Sequence, residues 1–218
     1  MKLEPFRLPR LYAIVDAGSF AGDKDCTRSV IRFASELVRG GIRLLQYRNK
    51  SRSPGGFEDP RQMLSQAREL RRTVGKDVQL IMNDRADVCI AAGFDGVHLG
   101  QDDLSVEGAR QILGPGKIIG YSTHNLEQIQ AANEGSADYI ALGPIFTTRS
   151  KFKADPVVGL EMLGRARRLT HKPLVAIGGI TRKNCASVIQ AGADAVAVIS
   201  DLLGSPRKTA EEFLRILE

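Results

Sequence analysis

Eight short apolar runs, each followed by a stretch with helical spacing, constrain this chain more than any other feature. They are Arg10 to Asp16, Arg43 to Arg48, Gln79 to Met82, Gly96 to Leu99, Lys117 to Ser122, Asp138 to Gly143, Pro173 to Ile177 and Ala195 to Ser200. Between the first two, Val30, Ile31, Phe33, Ala34, Leu37 and Val38 recur at helical intervals. Near-continuously apolar strands alternating with helices belong to a parallel sheet buried on both faces. Eight units are the number that closes a (βα)8, or TIM, barrel, and 218 residues suit a single such α/β domain over residues 1–218. The alternative is a doubly wound open sheet. The first strand-to-helix turn, Asp16 to Gly22, lacks the glycine spacing of a dinucleotide site, and no Walker-type phosphate loop occurs.

Local signals punctuate these units. Asp59-Pro60 reads as a helix cap followed by proline at the first helical position. Ser105 and Ser205-Pro206 read as further caps, and Asn125 opens another helix. One pattern occurs three times: Gly93 with Asp95, Gly135 with Asp138 and Gly192 with Asp194 each precede a strand. The glycines are expected at left-handed helix ends, and the aspartates read as structural. The polar stretch from Asn49 to Glu58 is long enough to be a binding loop.

A net charge of +6 favours anionic ligands. There is no long basic block and aromatic content is 6%, so a nucleic-acid footprint is not expected. No apolar run is long enough to span a bilayer, and MKLEPFRLPRL has no continuous hydrophobic region, so neither membrane nor secretion is expected. Cys26, Cys89 and Cys185 are widely spaced, and they read as free thiols in a reducing cytoplasm. A homo-oligomer is compatible with all of this.

In a barrel, chemistry sits at the carboxyl ends of the strands. Reading those ends in turn collects Gln46, Arg48 and Lys50; Asn83 and Asp84; Asp102 and Asp103; Ser122 and His124; Thr147, Thr148, Ser150 and Lys151; Gly178 and Gly179; and Ile199 and Ser200. Asp84 and Asp103 follow consecutive strands, so parallel neighbours would bring them together. Two converging carboxylates repel unless a proton or cation lies between them, and hard oxygen ligands suit Mg2+. Asp84 could instead cap the helix after it, and Asp102 competes with Asp103. Gly178-Gly179 and Ile199-Ser200 lie where barrels bind phosphate through backbone N–H groups at helix starts, with a plain tight turn as the alternative reading. Arg48, Lys50 and Lys151 add positive charge. The rim therefore suggests a metal-bound diphosphate on one side, a monophosphate on the other, and group transfer between them. His98, inside a strand, reads as a satisfied core histidine.

The motifs LLQYRNK, LIMNDRAD, GVHLGQDDL, GYSTHN, ALGPIFTTRSK, VAIGGIT and AVAVIS, in this order, resemble the thiamine-phosphate synthase family over nearly the whole chain. The resemblance implies an enzyme that couples hydroxymethylpyrimidine diphosphate to a thiazole phosphate, releasing diphosphate. It implies that Gln46, Arg48, Lys50, Asn83, Ser122 and Lys151 hold the pyrimidine diphosphate, with Lys151, Ser122 and Arg48 closest to the chemistry. It implies that Asp84 and Asp103 ligate one Mg2+ per subunit, and that Thr148, Ser150, Gly179, Ile199 and Ser200 hold the thiazole phosphate. The partners would be small phosphorylated molecules. Two departures stand out: Asn49 replaces a residue that is usually acidic in this family, and Arg149 interrupts the threonine-rich loop. A related thiazole tautomerase, with His124 as acid and base, and a non-catalytic phosphate sensor are the rival readings.

Overall fold

The computed structural model describes residues 8–50, 59–148 and 155–218. Eight parallel strands close into a barrel in chain order, which removes the open-sheet alternative. They are β1 (Leu11–Asp16), β2 (Leu44–Arg48), β3 (Gln79–Asn83), β4 (Gly96–Leu99), β5 (Ile118–Thr123), β6 (Tyr139–Leu142), β7 (Leu174–Ile177) and β8 (Ala195–Val198). The last strand pairs back onto the first through Leu11 and Val196, so no strand edge is left open. The intervening helices are α1 (Cys26–Arg39), α2 (Pro60–Val74), α3 (Ala86–Ala92), α4 (Val106–Leu113), α5 (Leu126–Glu134), α6 (Gly159–Leu169), α7 (Cys185–Gln190) and α8 (Pro206–Leu217). Two short 3-10 turns, Ala17–Phe20 and Ser200–Leu202, follow β1 and β8; sequence periodicity had shown neither.

Strand residues alternate between two cores, as the period of two demands. Outward-facing side chains such as Leu45, Leu80, Val97 and Ile140 join the helices in one large cluster. Inward-facing ones, including Tyr12, Ile14, Leu44, Ile81, Tyr139 and Val175, fill the barrel itself. The helix starts obey elementary capping chemistry. Asp25 accepts from Arg28 N–H, Asp59 from Arg61, Ser105 from Gly108 and Asn125 from Gln128. Ser205 is an exception: it occupies the cap position of α8, but its side chain accepts no cap hydrogen bond, and Pro206 alone presets the first turn. Cys26, Cys89 and Cys185 are all free thiols.

The recurring aspartates seal the amino-terminal rim. Asp95 Oδ2 accepts from Leu80 N–H at 2.7 Å and from Arg71 at 2.8 Å. Asp138 Oδ2 does the same with Ile119 N–H and Arg110, and Asp194 Oδ2 with Leu174 N–H and Arg167, all at 2.7 Å. Each arginine also donates to main-chain carbonyls nearby, as Arg71 does to Val78 and Arg110 to Lys117. One carboxylate thus ties a strand start to the preceding strand and to the helix before that strand, three times over. The glycines are less uniform than their spacing suggests. Gly93 is left-handed with φ 68° and Gly192 has φ 113°, but Gly135 has φ −80° and needs no glycine for its backbone angle.

Candidate active site

One cavity opens inside the carboxyl end of the barrel. Its wall includes Gln46 and Arg48 from β2, Asn83 from β3, and Ser122 from β5. Across from them it includes Thr148, Gly179, Ile199 and Ser200. Eight residues that a linear reading gathers from the strand ends therefore line a single space, and they divide between its two sides as their chemistry suggested.

Asp84 leaves β3 with φ 61°, alone among the described residues other than glycine in having a positive φ. Asp tolerates this region better than most residues, and departures of this kind gather at functional sites. The Asp84 N–H donates to His98 O at 2.8 Å, which holds the backbone in place. The Asp84 carboxyl is pushed up to about 6, first by burial, then by a hydrogen bond with Asp103, against the opposing pull of Lys50. The two carboxyls therefore meet, as parallel neighbouring strands require. Lys50 Nζ lies 2.5 Å from Asp84 Oδ2. Asp103 Oδ2 accepts the Gly100 N–H at 2.7 Å, and a Cβ at Gly100 would sit 2.9 Å from that oxygen. Neither aspartate serves as a helix cap: Arg85 occupies the position before α3, and Ser105 caps α4. Asp102 is exposed, so Asp103 is the turn's inward carboxylate.

Arg48 is held by a residue that sequence reading passed over. Asp16, at the end of β1, is 1% exposed and accepts from Arg48 Nη1 at 2.7 Å. The sequence offered only an acidic residue closing an apolar strand; its register with Arg48 comes from the sheet. Asn49, the departure from the family pattern, donates to Tyr47 Oη at 3.2 Å, and Tyr47 in turn donates to Gln66 of α2. An amide suits this acceptor-rich pocket.

On the opposite side, the turn after β7 departs from expectation. Gly178 and Gly179 have φ 99° and 66°, but α7 begins only at Cys185, so their amides belong to a turn and not to a helix start. A Cβ at Gly178 would lie 2.5 Å from Pro144 Cβ, and one at Gly179 2.6 Å from Thr147 O. Side-chain-free backbone is therefore required where the two loops touch. The turn after β8 does start a helix, the 3-10 turn opening at Ser200. Asp201 in that turn accepts from both the N–H and the Nε of Arg182 at 3.0 Å, which braces the β7 and β8 loops against each other. His124 Nδ1 sits 2.6 Å from Gly143 O and 3.6 Å from Asp155, a cavity neighbour that the sequence had not singled out. Ser150, Lys151, Arg149 and the stretch from Ser51 to Glu58 lie outside the described residues.

A closed parallel barrel with ionisable groups converging at its carboxyl rim defines a (βα)8-barrel enzyme. Comparison with known proteins narrows the class. A family model described as thiamine monophosphate synthase matches residues 11–202. A thiamine-phosphate synthase from Koribacter versatilis is 60% identical over 97% of each chain. Its counterpart from Chloroflexus aurantiacus is 44% identical over 92% of this chain and 88% of its own. The solved thiamine phosphate pyrophosphorylase from Pyrococcus furiosus superposes with a TM-score of 0.79 at 32% identity, covering 95% of both chains. The chain belongs to the thiamine monophosphate synthase family and is an enzyme of that type.

Proposed function

We propose that this enzyme transfers an aminopyrimidinylmethyl group from its diphosphate to the ring nitrogen of a thiazole phosphate, with Mg2+ as cofactor. The observation that carries this reading is the division of one cavity between Gln46, Arg48, Asn83 and Ser122 on one side and Thr148, Gly179, Ile199 and Ser200 on the other. A donor and an acceptor, each anchored by its own phosphate end, would meet in the middle.

In this reading the methylene C–O bond breaks first and its electron pair leaves with the diphosphate. The thiazole nitrogen lone pair then forms the new C–N bond to the pyrimidinylmethyl cation; a carboxylated thiazole would lose carbon dioxide as well. No protein nucleophile is needed, so the protein acts by positioning and electrostatics. Arg48, oriented by Asp16, would face the departing diphosphate, as would Lys50 and Lys151. Gln46, Asn83 and Ser122 would hold the pyrimidine, while Thr148, Ser150, Gly179, Ile199 and Ser200 would hold the thiazole phosphate.

Asp84 and Asp103 suit Mg2+ because both are oxygen donors, they converge, and burial disfavours their sharing a site as two bare anions. Among the described residues no group of three or more His, Cys, Asp or Glu gathers around one point, so substrate oxygens and water would complete the shell. Bound there, the ion would stabilise negative charge building on the leaving group. Lys50, now against Asp84, would be released toward the diphosphate. Among the described residues no helix is long and apolar enough to cross a membrane, and the free thiols suit a cytoplasmic enzyme.

An assay with both substrates, with and without Mg2+, tests this. Diphosphate release that requires both the thiazole phosphate and the metal is expected. Isomerisation of a thiazole without release would shift the reading to the tautomerase, and binding without turnover to a sensor.

A further inference from the structure

A chain of hydrogen bonds crosses the barrel interior from Gln46 to Ser122, the two residues assigned above to the pyrimidine. Gln46 Nε2 donates to Tyr12 Oη at 2.9 Å, and Tyr12 Oη lies 2.9 Å from Tyr139 Oη. Tyr139 Oη lies 2.9 Å from His98 Nδ1, and His98 Nε2 lies 2.8 Å from Ser122 Oγ. Tyr12 and Tyr139 are almost wholly buried, and His98 is 8% exposed. Tyr12 and His98 reach the cavity wall, with Tyr139 bridging them from behind.

The barrel makes room for this path at one glycine. His98, Gly120 and Tyr139 are register partners across β4, β5 and β6. A Cβ at Gly120 would overlap the Tyr139 phenol and crowd the His98 imidazole. Only without that Cβ can two side chains on alternate strands stack, as they do with centroids 5.5 Å apart.

Donor counting gives the chain a direction. With the Gln46 amide nitrogen set as donor to Tyr12 Oη, the arrangement that leaves no phenol proton without a partner sends the Tyr12 proton to Tyr139. The Tyr139 proton then goes to His98 Nδ1. An imidazole that accepts at Nδ1 carries its hydrogen at Nε2 and donates it to Ser122 Oγ. The Ser122 proton is left to point into the cavity, and so is the Gln46 amide oxygen. Burial raises both phenols well above their ordinary range, so both stay protonated.

We propose that Tyr12, Tyr139 and His98 are positioning residues that set the polarity of the pyrimidine subsite, presenting Gln46 as an acceptor and Ser122 as a donor. Such a pair fits an exocyclic amino group and a ring nitrogen. It opposes a pyrimidone, whose carbonyl would face the Gln46 oxygen. The inference rests on the proposed pyrimidine chemistry and supplies its selectivity for amino over oxo rings.

Nitrogen-15 NMR of the histidine-labelled protein, with the His98 signals assigned by their loss in His98→Gln, reads the direction without turnover. The Nε2–H tautomer is expected, and a proton on Nδ1 would overturn the proposal. Kinetics read the consequence. Tyr139→Phe and Gly120→Ala, checked for native melting, should each lower kcat/KM for the aminopyrimidine diphosphate by about tenfold or more, leaving KM for the thiazole phosphate unchanged. Both variants should lose discrimination against the 4-oxo analogue. Equal losses on amino and oxo substrates, or a changed thiazole KM instead, would defeat it. A wild-type protein that turns over no pyrimidine diphosphate would count against the synthase reading, while the NMR would still decide the relay.

Discussion

Both rims of this barrel are built from aspartates facing cations, yet the two ends use the pairing oppositely. At the amino-terminal rim Asp95, Asp138 and Asp194 each take one strand N–H and one arginine, so the negative charge is matched where it lies. At the carboxyl rim Asp84 and Asp103 face each other, with Lys50 drawn against Asp84. The first arrangement is satisfied within the fold. The second is left under electrostatic tension, which a bound cation would relieve. An Asp–cation contact therefore says little about role until its remaining neighbours are counted.

The sharpest way to break this contrast is to exchange one carboxylate at each end. Asp84→Asn should cut Mg2+-dependent turnover by about 100-fold or more while the protein still melts cooperatively. Full activity would remove the metal role. Asp138→Ala should do the reverse. Losing a charge-assisted bond and leaving the Ile119 N–H unpaired should cost about 1.5–3 kcal/mol in denaturant unfolding, with kcat per folded molecule unchanged. A smaller effect is expected at the junction of core and site. Asp16→Asn should raise KM for the diphosphate by about tenfold, because Arg48 loses its orienting partner; an unchanged KM would make that ion pair purely structural.

A pH series sharpens the same comparison with a modest signal. Asp84 binds its proton more tightly folded, at about 6, than at its ordinary 3.8. Its contribution to stability is therefore fully present below about 4 and is lost as pH rises through about 6. Melting curves of metal-free protein should show that loss, and Asp84→Asn should flatten it. Added Mg2+ should oppose it, since proton and cation compete for one carboxylate. A wild-type profile no steeper than that of Asp84→Asn would show that burial there is not what the geometry implies.

The eight strands and most caps were legible because period-two and period-3.6 patterns and capping residues are local properties. Helix α1 runs from Cys26 to Arg39, between its caps Asp25 and Gly40. Polar residues at strand ends were legible for the same reason, since a barrel turns position along a strand into height at the rim. What stayed hidden depended on contacts between distant strands. Asp16 looked like the end of a run until β2 brought Arg48 alongside it. His98 was read as a satisfied core residue and it is one, but its partners Tyr139 and Ser122 stand 41 and 24 residues away and tie it to the cavity.

By itself, then, the amino-acid order determined the repeating unit, the number of units, and which residues would face the carboxyl rim. Each of these follows from backbone periodicity and the burial of apolar side chains. Only closure of the sheet decided which carboxylates share charge, which arginine is braced, and how a line of hydroxyls runs through the barrel. Those depend on distances of a few ångströms between strands far apart in the chain, and electrostatics and hydrogen bonding are set by distance.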